Sequence, residues 1–380
     1  MTLPLVLIHG YASGSGAFSP WRTALEKSGR EVKDMYIGNY VTLNNEVTVD
    51  DIANGFQYAM HDKGLDAQPF DAIVHSTGML VLRSWLTNPN APTSRRGLLK
   101  HLIGLAPATF GSPIAAKGRS LLGRIFIGNR NLGPDFLASG NLVLDNLELG
   151  SEFTWNLAHR DLIDEQLYGT GNDTPYVFIF DGTNDYGKLA EIFDAREQEG
   201  SDGVVRWSGV ALNTRKINLN LGVSKDGVKW SDWSNLLDIP MIPIAGVHHN
   251  QIMSQPPQGL IDLVLQALNV NSKEDFDKFH DTTVPNSDVV NQGREKQKGN
   301  AWQQFVVHAV DNHGSPITDY SIEILAKAAD GSEISLSNFE ADVHPYAADN
   351  SFRCFHVKLD GLAEKAQGKR LIARIIANTG

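Results

Sequence analysis

The chain has 380 residues, a net charge of -11 and 42% hydrophobic side chains, with no apolar run approaching the roughly eighteen residues that a membrane span needs. That balance argues against a general binder of phosphate backbones, which would show a basic stripe. A single cysteine, Cys354, permits no disulfide within the chain, and no basic region precedes the first apolar run, so the expected location is cytoplasmic.

Leu3 to Ile8 is a continuous apolar run, as in a strand buried on both faces of a parallel sheet. It ends in His9-Gly10-Tyr11 and a glycine-rich stretch that carries neither of the usual phosphate-loop patterns. Phe18 to Ser28 reads as a helix, Val32 to Ile37 as a strand and Asp50 to His61 as a helix. The apolar run Ala72 to Val74 then stops at His75-Ser76-Thr77-Gly78, and a helical apolar pattern starts at once. Strand, sharp turn and helix with a serine at the apex would lift its hydroxyl clear of the sheet and aim the next backbone N–H at the same space. Of the usual G-x-S-x-G pattern the second glycine is present, and Val74 stands for the first. Leu102 to Leu105 is another strand, and strands alternating with helices at this spacing predict an α/β fold with a parallel sheet.

Residues 108–164 break the rhythm: around Lys117 to Ile127 basic residues alternate with bulky apolar ones between glycines, the composition of a lid over an apolar cleft or, equally, of an ordinary helical insertion packed on the sheet. Tyr176 to Phe180 is a strand leading to Asp181-Gly182-Thr183-Asn184-Asp185, and a second acidic turn follows at Ser201-Asp202-Gly203. Lys216 to Trp230 reads as a hairpin, Ile239 to Ala245 as the last strand of the sheet, and Leu260 to Leu268 as the closing helix. Between the last two lies His248-His249. Residues 271–299 are polar and unpatterned, as in a linker, and 300–380 alternate like a small Ig-like β-sandwich.

A His-Gly loop, an elbow serine, acids after a later strand and a histidine after the last strand therefore occur in one order. A serine nucleophile needs a base, and the base needs an acid to fix its tautomer. Over about residues 3–268 the sequence resembles bacterial lipases and esterases of the α/β-hydrolase superfamily, in particular those with a His-Ser-x-Gly elbow and an acid in an Asp-Gly turn. The resemblance implies an α/β-hydrolase catalytic domain over 1–270, with the lid insertion at 108–164. Ser76 would be the nucleophile, and the backbone N–H groups of Tyr11 and Thr77 would form the oxyanion hole. For the acid, Asp202 is favoured over Asp185; for the base, His249 is favoured over His248. No metal or organic cofactor is implied, and the partner would be a small ester with an apolar acyl chain. Met79, where relatives often have glycine, would narrow the acyl site. The same triad would serve an acyltransferase or thioesterase, and a hydrolase fold can also serve as a binding protein without catalysis. With the triad complete by His249, a chain ending near residue 270 is expected to keep activity on a short ester.

Overall fold

The computed structural model describes residues 3–9, 16, 18–35, 47–91, 95–117, 141–186, 199–220, 228–230, 238–336 and 341–378. Short apolar runs build its main sheet: β1 (Leu5–Ile8), β2 (Val32–Met35), β3 (Phe70–His75), β4 (Leu99–Leu105) and β5 (Tyr176–Gly182). After the antiparallel hairpin of β6 (Ile217–Leu219) and β7 (Val228–Trp230), β8 (Met241–Ile244) completes it. The order is β2-β1-β3-β4-β5-β8 and every pairing is parallel. All residues of β1 and β3 are buried, because helices cover both faces and leave no wet side that would favour alternation. The helices α1 (Ser19–Lys27), α2 (Val49–Asp62) and α3 (Gly78–Leu86) supply Trp21, Phe56 and Trp85 to one continuous core. Among the described residues no helix is long and apolar enough to cross a membrane.

The described parts of 108–164 are built into this core. Helices Asn141–Leu147 and Glu152–Ala158 bury Val143, Leu147 and Leu157, while most of the basic-apolar stretch after Lys117 lies outside the described residues. Residues 271–299 are likewise not an unpatterned linker. They form helices Lys273–Lys278 and Asp288–Gln297 joined by a π-helical turn, and Phe276, Phe279, Val284 and Val290 belong to the main core. Each helix needs only one apolar face, so most of its residues remain polar and the periodicity is faint. A cut near residue 270 would strip those four side chains from the core.

The C-terminal part is two three-stranded antiparallel sheets, β11 (Glu333–Ser335), β10 (Tyr320–Lys327), β14 (Arg370–Ala377) and β12 (Ala341–Pro345), β13 (Phe352–Lys358), β9 (Trp302–His308). The sequence read this part as strands alone. It also contains helix Leu359–Ala366, whose Leu362 and Ala366 close a second small core with Ala326, Leu336 and Val357. Side chains alternate between the faces of a strand. One face of the β12-β13-β9 sheet carries Asp342, His344, Cys354, His356, Gln304 and Val306, and this face meets the α/β unit.

On that face the His356 ring stacks on Trp302 at 4.2 Å, and neither ring nitrogen has a hydrogen-bond partner. Burial, helped by the charge of Arg206, lowers its pKa to about 2; His75, buried in the other unit, is lowered to about 3. Both are kept neutral when folded but gain a proton when unfolded. Their contribution is therefore intact above the unfolded value near 6.5 and is lost as pH falls through it, by about 2 kcal/mol each at pH 5. Urea midpoints should drop between pH 7 and pH 5, and His356→Phe should flatten that slope; an unchanged slope would show that His356 is solvated.

Candidate active site

The turn after β3 holds Ser76 at φ +53°, a left-handed conformation that costs a residue with a Cβ roughly 1–3 kcal/mol. The surrounding backbone enforces it: the Ser76 N–H donates to the Leu105 carbonyl (3.3 Å), and its own carbonyl accepts from Met79 and Ala108. Gly78 is required here by close approach, since a Cβ would stand 2.7 Å from the Ile8 carbonyl oxygen. The turn thus presents the Ser76 hydroxyl at the C-terminal end of the sheet, where α3 begins.

His249 follows β8 and is buried beside it. Its Nε2 lies 3.0 Å from Ser76 Oγ, placed to accept the hydroxyl proton. Its Nδ1–H donates to Asp202 Oδ2 at 2.7 Å. Asp202 sits in a tight reverse turn, where its Oδ1 accepts from the N–H groups of Val204 (2.9 Å) and Val205 (2.8 Å). The backbone also links acid and base, His249 N–H donating to the Asp202 carbonyl at 3.1 Å. Burial opposes ionisation of Asp202. His249, the neighbouring Asp181 and the Val205 N–H outweigh it and hold the carboxyl below its usual range.

Two further side chains support this line, and the sequence reading gave neither a role. His75, next to the serine, donates from Nε2 to the His249 carbonyl at 2.9 Å, and its ring lies tilted against that of His249 at 4.8 Å. Asp181, at the end of β5, is fully buried; its Oδ1 accepts from the Gly182 N–H, and burial followed by the Asp202 charge raises its pKa well above the ordinary value. Burial thus favours the proton on Asp181 and the negative charge on Asp202, the carboxylate aligned with His249. The signal for both was their place in motifs already noted, His-Ser-x-Gly and the Asp-Gly that ends β5.

The remaining candidates lie elsewhere. Asp185 is exposed, and half-buried His248 packs on Tyr186 at 4.2 Å, its pKa lowered chiefly by burial. Thr77 follows Ser76 at the start of α3, whereas Tyr11 lies outside the described residues. Met79 is fully buried in the core, its Cε 3.0 Å from where a Cβ on Gly104 would stand. A second aspartate–histidine pair, Asp71 and His101 (2.6 Å), lies near Arg30 and the Val270 carbonyl and has a structural place in the core. On α3, Arg83 forms a buried double contact with Asp161 (2.6 and 3.0 Å) and donates to the Thr109 carbonyl, which ties the helix behind the serine to the insertion.

The sequence matches no protein-family model and no curated protein. Among solved structures it is similar to the phospholipase PlaB from Legionella pneumophila, at 23% identity over 100% of this chain and 87% of that one, with a TM-score of 0.77. The same phospholipase in complex with thio-NAD gives 24% identity, 100% and 86% coverage and a TM-score of 0.78. The mature lipase BlEst2 from Bacillus licheniformis gives 16% identity, 71% and 93% coverage and a TM-score of 0.43. The likeness to the phospholipase structures includes the C-terminal sheets, beyond the stretch where a sequence resemblance was visible. The chain has an α/β-hydrolase fold, shared with these phospholipase structures and extended by a C-terminal pair of antiparallel sheets.

Proposed function

We propose that the protein is a serine hydrolase of carboxylic esters, working through Ser76, His249 and Asp202. The observation that carries this reading is the unbroken line from Ser76 Oγ through both nitrogens of His249 to Asp202, starting from a serine held at φ +53°. His249 Nε2 takes the hydroxyl proton as Ser76 Oγ bonds to the ester carbonyl carbon. The oxyanion is held by the Thr77 N–H and, as the sequence resemblance implies, by that of Tyr11. Collapse breaks the carbon–oxygen bond to the alcohol, which leaves with the proton from His249. Water, deprotonated by the same nitrogen, then attacks the acyl-enzyme, and the carboxylic acid departs as Ser76 recovers its proton.

The acyl portion is expected to be apolar, and the phospholipase named above makes a glycerophospholipid the first natural ester to offer. A fluorophosphonate probe should label the folded protein once, at Ser76, and p-nitrophenyl esters of graded chain length should be turned over. A folded protein that is neither labelled nor active on any of these esters would exclude the reading.

A further inference from the structure

The turn that carries Asp202 is a hairpin with two sides. It is closed by the Ser201–Arg206 bridge, by Asp202 N–H donating to the Val205 carbonyl and by Trp207 N–H donating to the Gly200 carbonyl. On its inner side Trp207 donates to the Gly182 carbonyl (2.9 Å) and the Val204 carbonyl accepts from Ser112 (2.6 Å). On its outer side it meets the C-terminal sheet. The Trp302 ring lies so close over Gly200 that a Cβ there would stand 2.4 Å from its Cδ1, and Gln304 lies likewise against Gly209. Arg206, 1% exposed, has its ion-pair partner across the boundary in Asp342, and Lys358 reaches Glu199 at 3.1 Å.

We infer that the β12-β13-β9 face is a clamp on this hairpin, and that Trp302 and Asp342 are positioning residues that hold Asp202 in line with His249. The reasoning is mechanical. The hairpin that carries Asp202 lies between two walls, one made by the α/β core and one by the C-terminal sheet. The Asp202 carboxylate must be held to a fraction of an ångström for the histidine to keep its orientation, because a displacement of about 1 Å can cost on the order of 10²-fold in rate. Gly200 and Gly209 leave no side chain between hairpin and sheet, so movement of the sheet face is transmitted directly to the hairpin backbone. Arg206 adds a sharp preference for the docked arrangement, since undocking would leave a buried guanidinium without its carboxylate. The C-terminal sheets are then part of the catalytic architecture.

This inference rests on the triad proposed above, so the test compares Asp342→Asn and Trp302→Ala with Asp202→Asn in one assay. With a short soluble ester, both clamp variants should lose about 10- to 100-fold in kcat with little change in KM. The acidic limb of their kcat/KM profile should also move to lower pH, because a histidinium that has lost its aligned carboxylate gives up its proton more readily. Amide exchange at Val204 and Val205 should quicken while that at Leu102 to Leu105 stays slow. A merely stabilising contact would move neither the pH limb nor kcat in a variant that remains folded. If Trp302→Ala fails to fold, Trp302→Phe keeps a ring in β9 without the edge that lies over Gly200 and should give a smaller loss of the same kind. Folded clamp variants with wild-type kcat and pH profile, alongside a severely impaired Asp202→Asn, would overturn the clamp. An unimpaired Asp202→Asn would instead overturn the triad.

Discussion

Ser76→Ala is expected to lower kcat on a short p-nitrophenyl ester by a factor on the order of 10⁶ and to abolish fluorophosphonate labelling. Alanine keeps the Cβ and so the shape of the turn, but removes the Oγ that lies 3.0 Å from His249 Nε2. The fold should be little affected. If the left-handed conformation is strained, alanine bears the same strain, so thermal melting should stay close to that of the parent. Residual turnover within tenfold of the parent would mean that another group makes the covalent bond. A large loss accompanied by a collapsed melting transition would indicate structural damage, and labelling of the parent protein would then have to identify the nucleophile.

Asp202→Asn should cost about 10⁴ in kcat, while Asp185→Asn should stay within a few-fold. The asymmetry follows from placement. Asp202 is fully buried, accepts the Nδ1–H of His249 at 2.7 Å and is held by two backbone N–H groups, whereas Asp185 is exposed. An asparagine amide at 202 can turn its NH₂ toward His249 Nδ1, stabilising the tautomer whose Nε2 carries the proton and cannot act as base. A larger loss in Asp185→Asn would assign the acid to the turn directly after β5.

Much of the main sheet could be read from the chain because its signals are contiguous. The β3 strand, Ser76 turn and α3 helix occupy one uninterrupted stretch, and only a glycine fits where Gly78 passes beneath β1. The acidic turn and the paired histidines also announce themselves locally, which is why Asp202 and His249 could be named with Asp185 and His248 as alternatives. What could not be read is held by partners distant in sequence. His75 meets the carbonyl 174 residues away, Arg83 meets Asp161 across 78, and Arg206 meets Asp342 across 136. Nothing local in Arg206 distinguishes a buried guanidinium from a surface one. The helices within 271–299 escaped for a related reason: their few apolar positions, such as Phe276 and Val290, gain meaning only against the core they cover. The burial of Met79 likewise depends on which side of α3 faces the sheet, which proximity to the serine in sequence does not tell.

The order of the strands also has a consequence for how the protein comes into being. The neighbours β1, β3 and β4 are all made within the first 105 residues, so the serine turn can form while synthesis is under way. His249, the proposed base, lies 173 residues further on, and β8, which carries the chain to it, pairs with β5 rather than with any earlier neighbour. The wall that steadies the acid comes later still, in strands beginning at Trp302. At about 5–20 residues per second, tens of seconds separate the emergence of Ser76 from that of the last group proposed to hold the triad in line. On the proposed triad, a nascent chain would carry Ser76 without its base, and reactivity would arrive as one of the last events of folding.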